Sequence, residues 1–185
     1  MPELLAEPAG AVDAASARVQ LYACGFGAGT PQVFSGSMLL PAGIRLSDYC
    51  NLDDPVLLLQ ARAEGSATRF ALAKEGLDAI WTLQSQATRS DLYGQLEVTP
   101  VRVHVQTRLL DVVGTLHVAP GADPLEMLMR GSRRFVALSQ ARVSVPGKAP
   151  RLDTGLGVCL VNRVYVVAAE LDRPKTKTAS AEPAA

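Results

Sequence analysis

Two stretches of this chain nearly repeat each other. "GSMLLPAGIRLSDYC", from Gly36 to Cys50, and "GTLHVAPGADPLEML", from Gly114 to Leu128, align Gly36 with Gly114 and Gly43 with Gly121 at a single offset. An acid follows in each, Asp48 or Glu126, and each then enters an apolar run ending in Gln-Ala-Arg, at Arg62 and at Arg142. The offset has grown by two at that point, a small loop difference. Upstream, "RVQLYA" from Arg18 matches "RVHVQT" from Arg102. Repetition on this scale means one supersecondary unit used twice, and two copies are too few for a solenoid. The chain therefore divides into a divergent first repeat over residues 17–86, a linker over 87–99 and a second repeat over 100–172. The segments 1–16 and 173–185 carry little apolar content to bury and are expected to be disordered.

Within a copy the hydrophobic period is two. Val101, Val103 and Val105 alternate with Arg102, His104 and Gln106, and Leu116 and Val118 alternate with Thr115 and His117. This pattern predicts a hairpin. A turn on Leu110 and Asp111 sets Val103 against Val118 and places His104 opposite His117. The phase then changes, because Leu125, Leu128 and Met129 lie at helical spacing behind Asp123, an N-cap residue, and Pro124 at the first helical position. In copy one Ser47 and Asp48 stand near the start of a shorter turn. "RFVALSQARVSV" and "GVCLVNRVYVVAAEL" are rich in β-branched residues and read as two further strands, and "FALAKEGLDAIWTLQ" reads as strand, turn at Glu75-Gly76, strand. The stripes Leu57–Leu59 and Val164–Val167 read as core. The fold class is mainly β: two tandem copies of a small, strongly bent β-barrel unit with a short helix or turn in each.

The second copy, through "VRVHVQTRLLDVVGTLHVAPG", "RRFVALSQARV" and "LVNRVYVVAAE", resembles an uncharacterised bacterial domain family catalogued only as a domain of unknown function. That resemblance implies no activity. Copy one has "LAKEGLDAIWTLQ" where Asn162 and Arg163 stand in copy two, so a role for that pair does not carry over to it. More distantly, strands ending in "LVNRVYVVAA" are similar to the small Sm-like barrels, a likeness at the level of fold.

The chemistry-bearing residues are few. With 18 basic and 18 acidic residues in 185, the formal charge is zero and there is no global footprint for nucleic acid. Three cysteines, Cys24, Cys50 and Cys159, fit neither a disulfide framework nor a metal spacing. Residues 1–17 lack a basic n-region and no run is long enough to span a bilayer, so a cytoplasmic location is expected. His104 and His117 are weak candidates for a shared metal, with Asp111 and Asp123 as the nearest further ligands. The glycines of "GFGAG" read as a hairpin tip, with Cys24 a core or strand-end thiol.

Arg130, Arg133 and Arg134, with Lys148 and Arg151, form the one basic concentration, and Asn162 and Arg163 lie in a polar turn. Together they make a candidate surface for a nucleotide or RNA backbone, weighed against arginines that simply pair with Asp111, Glu126 or Asp153. Trp81 has no counterpart in copy two and is suited to anchor the contact between copies. Small β units also leave strand edges to be covered. The expected function is a non-enzymatic, cofactor-free cytoplasmic interaction or assembly module, binding a protein partner or itself through exposed strand edges and no membrane. The alternatives are a nucleic-acid or nucleotide binder using the basic loop, and a small metal-dependent enzyme centred on the histidines.

Overall fold

The period-two segments form antiparallel strands that join into one sheet. A computed structural model describes residues 17–27, 30–41, 44–63, 66–82, 97–145, 152–153 and 157–172. The chain runs β1 (Ala17–Gly27), β2 (Thr30–Leu40), α1 (Leu46–Cys50), β3 (Val56–Ala63), β4 (Ser66–Ala73), a 3-10 turn (Lys74–Gly76) and β5 (Leu77–Trp81). It continues as β6 (Thr99–Thr107), β7 (Asp111–Val118), α2 (Pro124–Arg130), β8 (Phe135–Ser144), β9 (Leu152–Asp153), β10 (Val158–Asn162), a 3-10 turn (Arg163–Tyr165) and β11 (Val166–Leu171). Across the sheet the order is β11-β6-β7-β8-β10-β5-β1-β2-β3-β4, with β9 paired to β8. The sheet is open, and its ends are β11 and β4. The segments 1–16 and 173–185 and most of the 87–99 linker lie outside the described residues, as do Gly43, Lys148 and Arg151.

Gly36 and Gly114 stand where the second strand of each half meets the third. A Cβ at Gly36 would lie 3.1 Å from Leu59 Cβ and from Gln60 O, and one at Gly114 would lie 2.9 Å from Leu138 Cβ. A side chain at Gly114 would force a shift, and one at Gly36 would press its neighbours apart by a few tenths of an ångström. Pairing there is interrupted: β2 meets β3 at Ser37↔Gln60 alone, and β7 shifts register on β8 between Val113 and Thr115. The shift places Gln140 at φ 48, a left-handed conformation in the middle of β8.

The helices differ in how they start. Asp123 caps α2, its Oδ1 accepting from the N–H groups of Leu125 (2.7 Å) and Glu126 (3.2 Å), with Pro124 next. At α1 the cap position is Arg45, without a side-chain cap bond, and Ser47 and Asp48 fall inside the single turn.

Two expectations are corrected. The β6–β7 hairpin turns earlier, over 108–110, so that Val103 pairs with Gly114, His104 with Val113, and His117 with Pro100. Thr107 draws the turn in, because its Oγ1 accepts from Leu110 N–H (3.0 Å) while its own N–H donates to Leu110 O (2.8 Å). The apolar stripes are also not wholly core: Leu57 and Leu59 are buried, but Leu58, Val164 and Val167 are 64%, 71% and 68% exposed. Leu58 is the outward residue of a period-two strand, and Val164 and Val167 lie on the turn and edge strand at one end of the sheet.

Two core clusters sit under the sheet, and each takes residues from both halves. Cys24, Ala79 and Trp81 pack with Val103, Leu116, Leu138 and their neighbours. Phe135 and Leu160 pack with Leu21, Leu46, Leu57, Leu59 and Ile80. Strands β5 and β10, at the crossing, are therefore buried on both faces and read in sequence as the near-continuous apolar runs "LDAIW" and "VCLVN".

Candidate functional site

Of the polar residues singled out in the sequence, Arg133, Arg134, Asn162 and Arg163 gather at the joint where β5 meets β10. The strands pair as Cys159↔Trp81, Leu160↔Ile80 and Val161↔Ala79, and Thr82 N–H continues the ladder to Val158 O at 3.0 Å. Trp81, 1% exposed, stacks on Tyr22 at 5.9 Å between centroids and sits in the core shared with the second half. Burial of Trp81, Phe135 and Leu160 stabilises the joint by about 1.5–3 kcal/mol for each side chain. The Trp81 indole N–H finds no partner among the described residues.

Side-chain amides latch the two flanks of this ladder. Asn51, at the end of α1, accepts from Phe135 N–H (2.8 Å) and donates to Phe135 O (2.9 Å), as a neighbouring strand would. It can do so because the β8 backbone at Phe135 faces α1 rather than β10, whose neighbouring bond runs from Arg163 N–H to Arg134 O. Asn162, 1% exposed, donates to Leu77 O (2.8 Å) and accepts from Val164 N–H (3.2 Å). Asp78 is fully buried, held by Arg108 Nη2 at 2.5 Å, and the Arg108 guanidinium lies 3.2 Å over the Tyr165 ring. The Tyr165 hydroxyl donates to Glu75 O.

The arginine cluster is committed mainly within the molecule. Arg133 pairs with Asp48 at 3.1 Å and Arg134 with Glu75 at 3.8 Å, both across the joint, and Arg130 pairs with Glu126 one turn earlier on α2. Arg163 donates through Nη2 to Arg133 O, and its Nη1 packs against Gly131, where a Cβ would approach to 2.6 Å. Burial lowers the Arg163 guanidinium from its ordinary value. Thus Arg133, Arg134, Asn162 and Arg163 are brought together, and Arg130 stands apart on its helix. Of these, Arg133 and Arg134 line a cavity of about 500 Å³, together with Asp48, Asp53, Asp54 and Lys74. Lys74 is 2% exposed, its ammonium donating to Leu52 O (3.3 Å) and lying 5.9 Å from the Tyr49 ring.

The histidines are separated. His104 Nδ1 lies 3.0 Å from Glu170 Oε1, with Asp111 3.8 Å from its other nitrogen. His117 Nε2 lies 2.9 Å from Ser139 Oγ. Asp123 is engaged as a helix cap, and among the described residues no group of three His, Cys, Asp or Glu is placed to hold a metal ion. The Ser139–His117 contact escaped the sequence because the residues stand on neighbouring strands, 22 positions apart. It is exposed, and among the described residues no carboxylate bonds the His117 imidazole to orient it as a base. Burial raises the Cys50 and Cys159 thiols to about 12, against a smaller opposing effect of Lys74 on Cys50, which keeps both neutral and poor nucleophiles. No helix among the described residues is long and apolar enough to cross a membrane.

Comparison with known proteins finds no matching family model, no matching curated protein and no matching solved structure.

Proposed function

We propose that the chain is a non-enzymatic protein-interaction or assembly module, built from two fused copies of a small, strongly bent β unit of the Sm-like or a related kind, and working in the cytoplasm. Strand, strand, helix, strand, strand, 3-10 turn, strand is the order of elements over Ala17–Trp81 and, with β9 added, over Thr99–Leu171. The last strand of each half is also bulged at the same place, around Asp78 on β1 and around Val167 on β6. Both similarities support the two-unit reading.

The observation that carries the function is the open sheet, whose end strands β4 and β11 each have one side with no pairing strand among the described residues, with Val164, Val167 and Leu171 exposed beside β11. Unpaired edges of this kind are templates for another strand. Binding to RNA through the basic loop is less favoured, since Arg133 and Arg134 already face acids. The test is sedimentation of the chain in a fresh extract of its native cells. A species several times heavier than the 19.5 kDa chain supports the module. Migration at the mass of the single chain refutes it.

A further inference from the structure

The joint between the halves is head-to-tail, because the first half contributes its last strand, β5, and the second its second-to-last, β10. A contact between unlike faces of equivalent units uses one face of each and leaves the other unused. The first half keeps its own second-to-last strand, β4, and the second its own last, β11; these are the two ends of the sheet. We propose that the ends join each other between chains: β4 of one copy pairs with β11 of the next, extending the sheet into a closed ring or a filament.

Resting on the two-unit reading above, the register follows from the joint already present. The bulges match Ala79–Trp81 to residues 168–170, and the 3-10 turns match Cys159–Val161 to residues 70–72. Carried over, the pairs become Phe70↔Glu170, Ala71↔Ala169 and Leu72↔Ala168. The backbone points the right way. In the joint, the bond from Thr82 N–H to Val158 O makes Ile80 and Leu160, two residues on, the next hydrogen-bonded pair, and these correspond to Ala169 and Ala71. Independently, Lys74 N–H donates inward to Pro55 O (2.8 Å) and Asp172 N–H inward to Arg102 O (3.0 Å). Alternation then turns the N–H groups of Ala71 and Ala169 outward, away from β3 and β6.

The side chains fit as well. A solitary edge is normally guarded by lysine, proline or a run of charge. Strand β11, "VVAAEL", carries only Glu170, and β4, "SATRFALA", only Arg69. The buried Asp78, which holds Arg108 in the joint, is replaced at the corresponding position of β11 by Val167. A buried charge has given way to an apolar side chain, so the residue that suits one joint is mismatched to the other.

The experiment uses the purified full chain. Sedimentation at micromolar concentration is expected to give multiples of 19.5 kDa, and Ala71→Pro, which removes an outward N–H on an exposed residue, to return the mass to a single chain with an unchanged circular dichroism spectrum. An equimolar mixture of Phe70→Cys and Glu170→Cys chains, oxidised, is expected to form disulfide-linked pairs containing one of each, while neither forms pairs alone. The mixture decides the matter if the proline variant fails to fold. A chain that sediments singly, or an assembly that yields no mixed disulfide, overturns the proposal. Amide exchange separates the causes: slow exchange at Ile80 and Leu160 with no mixed disulfide refutes only the contact between chains. Fast exchange at both refutes the two-unit joint beneath it.

Discussion

Removal of the Asn51 side chain is the sharpest probe of how the halves hold together. Asn51→Ala deletes the acceptor 2.8 Å from Phe135 N–H and the donor 2.9 Å from Phe135 O, and Phe135 itself is 1% exposed. Two backbone groups then lack partners in a buried strand, each costing about 1–3 kcal/mol. Asn51 is only half-buried, so water reaches part of the gap and the total falls at about 2–4 kcal/mol. For a chain of this length that lowers Tm by roughly 4–16 °C. Asn51→Asp is expected to cost at least as much, because it keeps the acceptor but sets a carboxylate oxygen against the Phe135 carbonyl. Urea unfolding followed by tryptophan fluorescence reports the loss through Trp81, the one tryptophan. Amide exchange at Phe135 reports the exposed N–H directly. If both variants lie within about 0.5 kcal/mol of the parent and Phe135 stays protected, the latch does not exist and the argument for it fails.

Arg108→Ala strands the buried Asp78 carboxylate and is expected to cost about 3–5 kcal/mol, most of it restored when Asp78→Val is added; urea unfolding of the single and double variants measures both. Arg133→Ala removes a pair whose side chains are 66% and 41% exposed, and a loss above about 1 kcal/mol in the same assay would contradict its surface character. Cys50 and Cys159 rise from an ordinary 9.0 to about 12 on folding, so the native state keeps protons that the unfolded chain releases. Their contribution is whole below pH 9 and is lost as pH rises toward 12, which predicts a falling urea midpoint over that interval and a shallower fall in the Cys50→Ala, Cys159→Ala double variant. In native protein at pH 8, maleimide labelling of these two buried thiols is expected to be slow and to become rapid in urea.

The β architecture was legible because period two and β-branched runs are local signals, as was the start of α2 in Asp123-Pro124. The repeated glycines were visible as a pattern, and their purpose, close approach of the second strand to the third, emerged from the fold. Pairing offsets were harder to read. Anchored on Gly36 and Gly114, the strand partners are Leu21 and Val103, two residues away from the match of Arg18 with Arg102. A shift of two preserves the face, so the alternation of Val103 and Val105 could not expose it. The hairpin register failed for a related reason: Thr107 and Leu110 close the turn with side-chain bonds that no Asn-Gly signal announces. Arg133 and Arg134 stood out as basic residues, but their partners Asp48 and Glu75 lie in the other half, beyond the reach of spacing arguments.

The shared cores have a consequence for synthesis. Phe135 and Leu160 complete the cluster beneath β1–β5, so the first half cannot close its interior when Trp81 has been made. At about 5–20 residues per second, the 79 positions from Trp81 to Leu160 take roughly 4–16 s. Throughout that interval the nascent chain presents the unfilled side of its first half, a surface that the chain's own later residues are destined to cover.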